Sequence, residues 1–132
     1  MNAPIKNYAE ESLAFHAKYH GKLETISKAP IVTREDLSLA YTPGVAAPCL
    51  AIEKNPEDAY IYTLKSNTVA VISDGSAVLG LGNIGPLAGL PVMEGKCVLF
   101  KEFAGINAFP IVLATQDTEE IIQTIKNIAL TF

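Results

Sequence analysis

Residues 68–86 read TVAVISDGSAVLGLGNIGP, and the fold turns on how this stretch is parsed. Two apolar, β-branched runs flank Asp74-Gly75. Asp-Gly between such runs is a strong short-range hairpin signal, because both residues tolerate the positive φ of a tight primed turn. The same stretch ends in GLGNIG, residues 80–85, a G-x-G-x-x-G spacing. A dinucleotide fingerprint of that form needs a preceding strand of a parallel unit, a helix opening within it and an acidic residue about 20 positions on. Here the preceding strand reads as the second arm of that hairpin, not the first strand of a parallel unit, so the first requirement fails. Pro86 and Pro91 then limit any helix opening at Gly82, and Glu102 falls near the required distance but on a later helix. The reading preferred from the residues is a tight glycine loop against neighbouring backbone. Loop amides near a small acid substrate are a further reading.

Working outward, 91–105 predicts a helix, with Pro91 in its first turn and Gly105 just past its end, weakened by Gly95. FPIVLAT, residues 109–115, predicts a buried strand. Asp117 with Glu120 caps a last helix, along one face of which run Ile121, Ile125 and Ile128. Upstream, residues 5–22 predict a helix carrying Tyr8, Phe15 and Tyr19, with Gly21 as its left-handed terminus. Pro30 keeps the following connection extended. Thr33 and Asp36 form a capping box for a short helix through Ala40. Thr42-Pro43-Gly44-Val45 has turn chemistry, with proline presetting the first central φ and glycine accepting a positive second one. Pro48 and Pro56 each open a further helical segment. The expected class is α/β, α+β-like, with helices around a small sheet containing a β-hairpin.

The bulk properties narrow the function. At 132 residues, 49% hydrophobic and 18% charged, the chain suits one globular domain. A net charge of −4 with scattered basic residues argues against nucleic acid as a partner. No apolar run has spanning length, and the polar N-terminus is unlike a signal peptide, so no membrane partner is expected. Cys49 and Cys97 match no metal or redox spacing and suit a reducing cytoplasm. The chain stops on an apolar tail at Phe132, as a cut chain would.

Few residues invite chemistry. Tyr41 precedes the Pro-Gly turn, which would fix its backbone and aim its hydroxyl; an ordinary half-buried tyrosine is the alternative. Lys96 sits among apolar neighbours, where lost hydration disfavours the charged form of a lysine and can make it a base; a lysine that snorkels to water is the alternative. His16 and His20 are four apart on a helix, a metal-gripping spacing, but a solvated face accounts for them better. Asp74 is explained by the turn.

Three blocks in order, YTPGVAAPC, VAVISDGSAVLGLGNIGP and LPVMEGKCVLFKEFAGI, resemble the N-terminal domain of malic enzymes in the smaller bacterial form, over residues 23–132. The resemblance implies oxidative decarboxylation of malate to pyruvate and CO2, with NAD or NADP and a divalent Mg or Mn ion. It makes Tyr41 the general acid and Lys96 the general base, and directs attention to Gly75 and Ser76 as substrate contacts. Larger malic enzymes carry a carboxylate-gripping arginine after the Asp-Gly turn; this sequence has Ser76-Ala77 and groups with the small forms. The resemblance places the metal ligands and the dinucleotide-binding domain outside residues 1–132. It implies a homodimer, with exchange of the N-terminal helix between protomers as one form, and an isolated chain without turnover. The competing expectation is a stand-alone, non-catalytic dimerisation or binding module derived from that domain.

Overall fold

The structure is a computed structural model describing residues 8–132. The expected first helix therefore has its opening residues, 5–7, outside the described part. Six α-helices and two strands follow in order. Helix α1 spans Tyr8–Tyr19, α2 Arg34–Ala40, α3 Ala46–Lys54, α4 Ala59–Tyr62, α5 Pro86–Ala104 and α6 Thr118–Ile128; strand β1 is Thr68–Ser73 and β2 is Asn107–Val112. Short 3-10 turns at Pro56–Asp58 and Leu64–Asn67 flank α4. The expected class holds, helices around a small sheet, but the hairpin within it does not.

β1 and β2 pair in parallel, in register from Thr68 opposite Asn107 to Ser73 opposite Val112, and α5 is the crossover between them. The hairpin is displaced for a local reason. Asp74 Oδ1 accepts hydrogen bonds from Ser76 N at 3.0 Å and Ser76 Oγ at 2.7 Å, which turns the chain out of the sheet. The second apolar run then closes on itself: Val78 N donates to Gly82 O at 2.8 Å and Gly82 N to Val78 O at 2.9 Å. β1 is apolar at nearly every position rather than alternating, the pattern of a strand covered on both faces in a parallel unit.

Helix α5 opens five residues earlier than expected, with Pro86 in its first turn and Pro91 inside it. Pro91 has no N–H for the carbonyl of Leu87, but Leu87 lies at the surface, where water can satisfy that group. Gly105 ends the helix in the left-handed region at φ 67°, its N–H returning to Lys101 O, while Ile106 N reaches Phe100 O. Gly89, Met93 and Cys97 recur every fourth residue and form the buried face of α5 against the sheet. With Val78 and Ala108 they make up the core, Cys97 being 1% exposed. The capping box expected at Thr33 and the cap expected at Asp117 both form: Asp36 N donates to Thr33 Oγ1 at 3.1 Å while Asp36 Oδ2 accepts from Thr33 N, and Glu120 N donates to Asp117 Oδ1 at 3.0 Å.

The core is small for the chain. A folded 14.1 kDa monomer exposes about 6,700 Å² by the usual scaling, whereas this chain exposes 10382 Å².

Candidate functional site

The parallel unit brings four pieces of backbone to one end of the sheet: the Asp74–Ser76 turn after β1, the glycine loop, the first turn of α5 and the segment after β2. Open α/β units present ligand crevices at this carboxyl end of their strands. Gly75 is the joint. It lies at φ +70°, and its carbonyl accepts from Ile84 N at 3.2 Å and Gly85 N at 3.3 Å. A Cβ there would stand 2.0 Å from Gly85 O, so only glycine lets the turn lie against the start of α5. Asn83 and Gln116 exchange two amide hydrogen bonds of 3.1 Å, linking the glycine loop to the segment after β2. The carboxylate of Asp74 is held below its ordinary proton affinity, first by the Ser76 N–H and then by the Ser76 hydroxyl.

The parallel topology removes one argument against a dinucleotide, since a strand of a parallel unit does precede GLGNIG and a helix does open after it. Two features still separate the loop from that fingerprint. The fingerprint's first glycine closes the turn directly at the strand end, whereas Gly80 follows Ser73 after an intervening turn. The residues beyond β2, Leu113-Ala114-Thr115, offer no carboxylate to a ribose, and Asp117 is spent capping α6. The residues present do not fit the group.

Tyr41 is the residue after α2, its N–H donating to Leu37 O at 2.9 Å and its carbonyl accepting from Val45 N at 2.7 Å. These bonds fix its backbone between α2 and α3. The Thr42–Pro43 peptide is cis. Gly44 serves differently from expectation: it is not at positive φ, but its N–H reaches Ser38 O at 2.8 Å, and a Cβ would meet that oxygen at 2.5 Å. Close approach to the end of α2 is what demands glycine there.

Lys96 lies on α5 beside the buried Cys97, with its side chain on the outer part of the helix. Val92 and Phe100, one turn before and after it, and Leu99 and Phe103 are all exposed, so the ammonium stands in an uncovered apolar stripe. Neither the Tyr41 hydroxyl, on a residue 67% exposed, nor the Lys96 ammonium has a hydrogen-bond or ion-pair partner among the described residues. Neither α2 nor α3 packs extensively on α5. A single chain thus brings Gly75 and Ser76 to the start of the lysine's helix, but joins Tyr41 to neither.

No group of three or more His, Cys, Asp or Glu able to hold a metal occurs among the described residues. His16 and His20 do not share a site: His20 has left the helix at φ 53°, and His16 is committed to Lys22 and Ser12. That contact, and the bond of Lys22 to Glu94 across 72 positions, have no signal in local sequence.

A sequence-family profile for the malic enzyme N-terminal domain matches residues 20–129, which includes both the Tyr41 turn and all of α5. The NAD-dependent malic enzyme of Geobacillus stearothermophilus is 60% identical over 97% of this chain, which covers 26% of that protein. The NADP-dependent malic enzyme of Escherichia coli is 54% identical over 93% of the chain, covering 16% of that protein. Among solved structures, malic enzyme from Pyrococcus horikoshii superposes with a TM-score of 0.91 at 56% identity, over 93% of this chain and 29% of that one. The NAD-dependent malic enzyme from Thermotoga maritima gives 0.89 at 54%, over 92% and 32%. The chain therefore spans about a quarter of the first of these relatives and less of others. A profile match running unbroken from α1's end into α6, on a backbone that superposes this closely, shows that the chain belongs to the malic enzyme N-terminal domain family.

Proposed function

We propose that residues 1–132 form the substrate-side domain of a malic enzyme whose whole chain converts malate to pyruvate and CO2 with NAD or NADP and a divalent Mg or Mn ion. The observation that carries this is the profile match over residues 20–129, which takes in the Tyr41 turn and the Lys96 helix together. Relatives over half identical to this chain are named as NAD- and NADP-dependent enzymes alike, so the choice of nicotinamide is made elsewhere in the protein.

In this reading Lys96 is the general base and takes the proton of the C2 hydroxyl. An amine must be neutral to do so. Tyr41 is the general acid and delivers a proton to C3 of the enol left after CO2 departs. Gly75 and Ser76 contact the substrate from the turn that clamps the start of α5. The nicotinamide and the metal would be held by other parts of the parent, since the residues described here fit neither.

The uncovered surface supports a homodimer. Exposed Leu79, Leu99 and Phe103 leave apolar surface of the kind such an interface covers. The two free cysteines support a cytoplasmic setting, and among the described residues no helix is long and apolar enough to cross a membrane.

The test is activity of the full-length parent with malate, manganese and NAD or NADP. Lys96→Ala and Tyr41→Phe should each lower kcat by more than about a hundredfold. A Lys96→Ala rate within about twofold of the parent refutes the catalytic assignment. Residues 1–132 alone should form no NADH or NADPH, and light scattering should show them as a dimer; a monomer at high concentration argues against the dimer.

A further inference from the structure

The glycine loop has no part in the chemistry proposed above, yet it is tied down on both sides. Its first half closes on itself through the paired bonds of Val78 and Gly82, with Val78 buried. Its last two amides, Ile84 N and Gly85 N, donate to Gly75 O. Asn83 is the joint between these halves. Its Nδ2 donates to Gln116 Oε1 at 3.1 Å, and its Oδ1 accepts from Gln116 Nε2 at 3.1 Å and from Gly85 N at 3.3 Å. One carboxamide thus ties the loop to its own next turn and to a residue 33 positions away.

Gln116 is itself a fixed point. Beside it, Thr115 Oγ1 donates to Glu120 Oε2 and accepts from Asp117 N at 3.1 Å, and Asp117 caps α6. What the tie fixes is the Asp74–Ser76 turn. Gly75 packs on Gly89, where an added Cβ would lie 3.7 Å from Gly75 Cα. Gly89 and Lys96 are seven residues apart on α5. They therefore project within about 20° of each other around the helix and stand about 10 Å apart along it. Side chains on a helix lean toward its N-terminus, so Lys96 extends back toward the turn. A shift of the turn changes the gap that a small acid must span between Ser76 and the lysine.

We propose that Asn83 and Gln116 are positioning residues, whose paired carboxamides hold the Gly75–Ser76 turn at the distance from Lys96 that the substrate spans. The identity of that substrate rests on the malate reading, whereas the tie itself does not. A turn that grips the acid equally before and during the reaction sets KM and not kcat. Both side chains are exposed, which keeps the expected effect modest.

The test has two arms. In residues 1–132, Gln116→Ala should speed hydrogen exchange of the Ile84 and Gly85 amides roughly fivefold and leave the amides of β1 unchanged. In the full-length parent, Gln116→Ala should raise KM for malate roughly fivefold at unchanged kcat. Gln116→Glu keeps the length but sets an oxygen against Asn83 Oδ1, and should act in the same direction. Asn83→Ala combined with Gln116→Ala should cost no more than Asn83→Ala alone, because the two side chains form one tie. A wild-type parent without malate turnover refutes the malate reading, and the exchange arm then decides the tie. Unchanged exchange overturns the proposal. So do an unchanged KM in an active parent, a fall in kcat in place of a rise in KM, and additive costs in the double variant.

Discussion

Gly75 offers the sharpest quantitative test of how the fold builds its site. Replacing it by alanine places a Cβ 2.0 Å from Gly85 O and 2.2 Å from Gly85 C, far inside contact distance, with the residue held at φ +70°. An L-residue in the left-handed region costs about 1 kcal/mol before any clash. Relief of the clash requires the Gly85–Pro86 backbone to move by about 1 Å, straining a packed neighbourhood at a cost of about 1–3 kcal/mol. That movement pulls Ile84 N and Gly85 N away from Gly75 O, two hydrogen bonds worth about 1 kcal/mol each. The sum is about 4–6 kcal/mol, against a total stability of about 7–20 kcal/mol for a domain of this length. Gly82 is the internal control: it also has positive φ, 73°, but an added Cβ meets nothing within 4 Å, so Gly82→Ala should cost only about 1 kcal/mol. Urea titration of both variants at fixed protein concentration reads this directly. At a slope near 2 kcal/mol per molar, Gly75→Ala should lower the midpoint by roughly 2–3 M and Gly82→Ala by roughly 0.5 M. If the two midpoints agree within error, the close packing of the Asp74–Ser76 turn on the start of α5 is not what holds the glycine loop.

Three further outcomes follow from particular contacts. Cys97 is 1% exposed, and its thiol is pushed to higher pKa first by burial and then by Glu94, whereas Cys49 is exposed; a disulfide reagent should therefore titrate one fast thiol in the native chain and two only after denaturation. The Asp36 carboxyl is held below its ordinary value of 3.8 by the Thr33 N–H, then the Thr33 hydroxyl and the Val32 N–H, so its capping contribution is full above that value and fades as pH falls through the lower folded one. Cα chemical shifts of residues 34–40 should thus lose helicity below about pH 4, and Asp36→Asn should remove that acid dependence. Lys65 donates to Ala129 O at 2.9 Å and to Phe132 O at 2.5 Å beyond the end of α6, with its ammonium 5.3 Å from the Tyr60 ring centroid. Lys65→Met should cost about 1–2 kcal/mol and speed amide exchange in the last turn of α6 while leaving β1 protected.

Elements specified by neighbouring residues were legible in the sequence. The Thr33 and Asp117 caps, the Gly105 terminus of α5 and the Pro56 turn each depend on groups within a few positions of one another, so spacing alone predicts them. The same holds for β1 and β2 as strands, written in β-branched and aromatic residues. The three blocks that carry Tyr41, Gly75 and Lys96 were sufficient to point to the family. What the sequence could not decide was which strand partners β1. An Asp-Gly turn favours pairing with the adjacent run, but Ser76 captures the Asp74 carboxylate, and the better-buried partner lies beyond α5. Strand pairing is settled by long-range burial, in which α5 sets Gly89, Met93 and Cys97 across both strands, and no local pattern encodes that competition. The role of Gly75 against Gly85 and the union of Lys22 with Glu94 and His16 were hidden for the same reason: each exists only once residues distant in sequence, or on different elements, have been packed together.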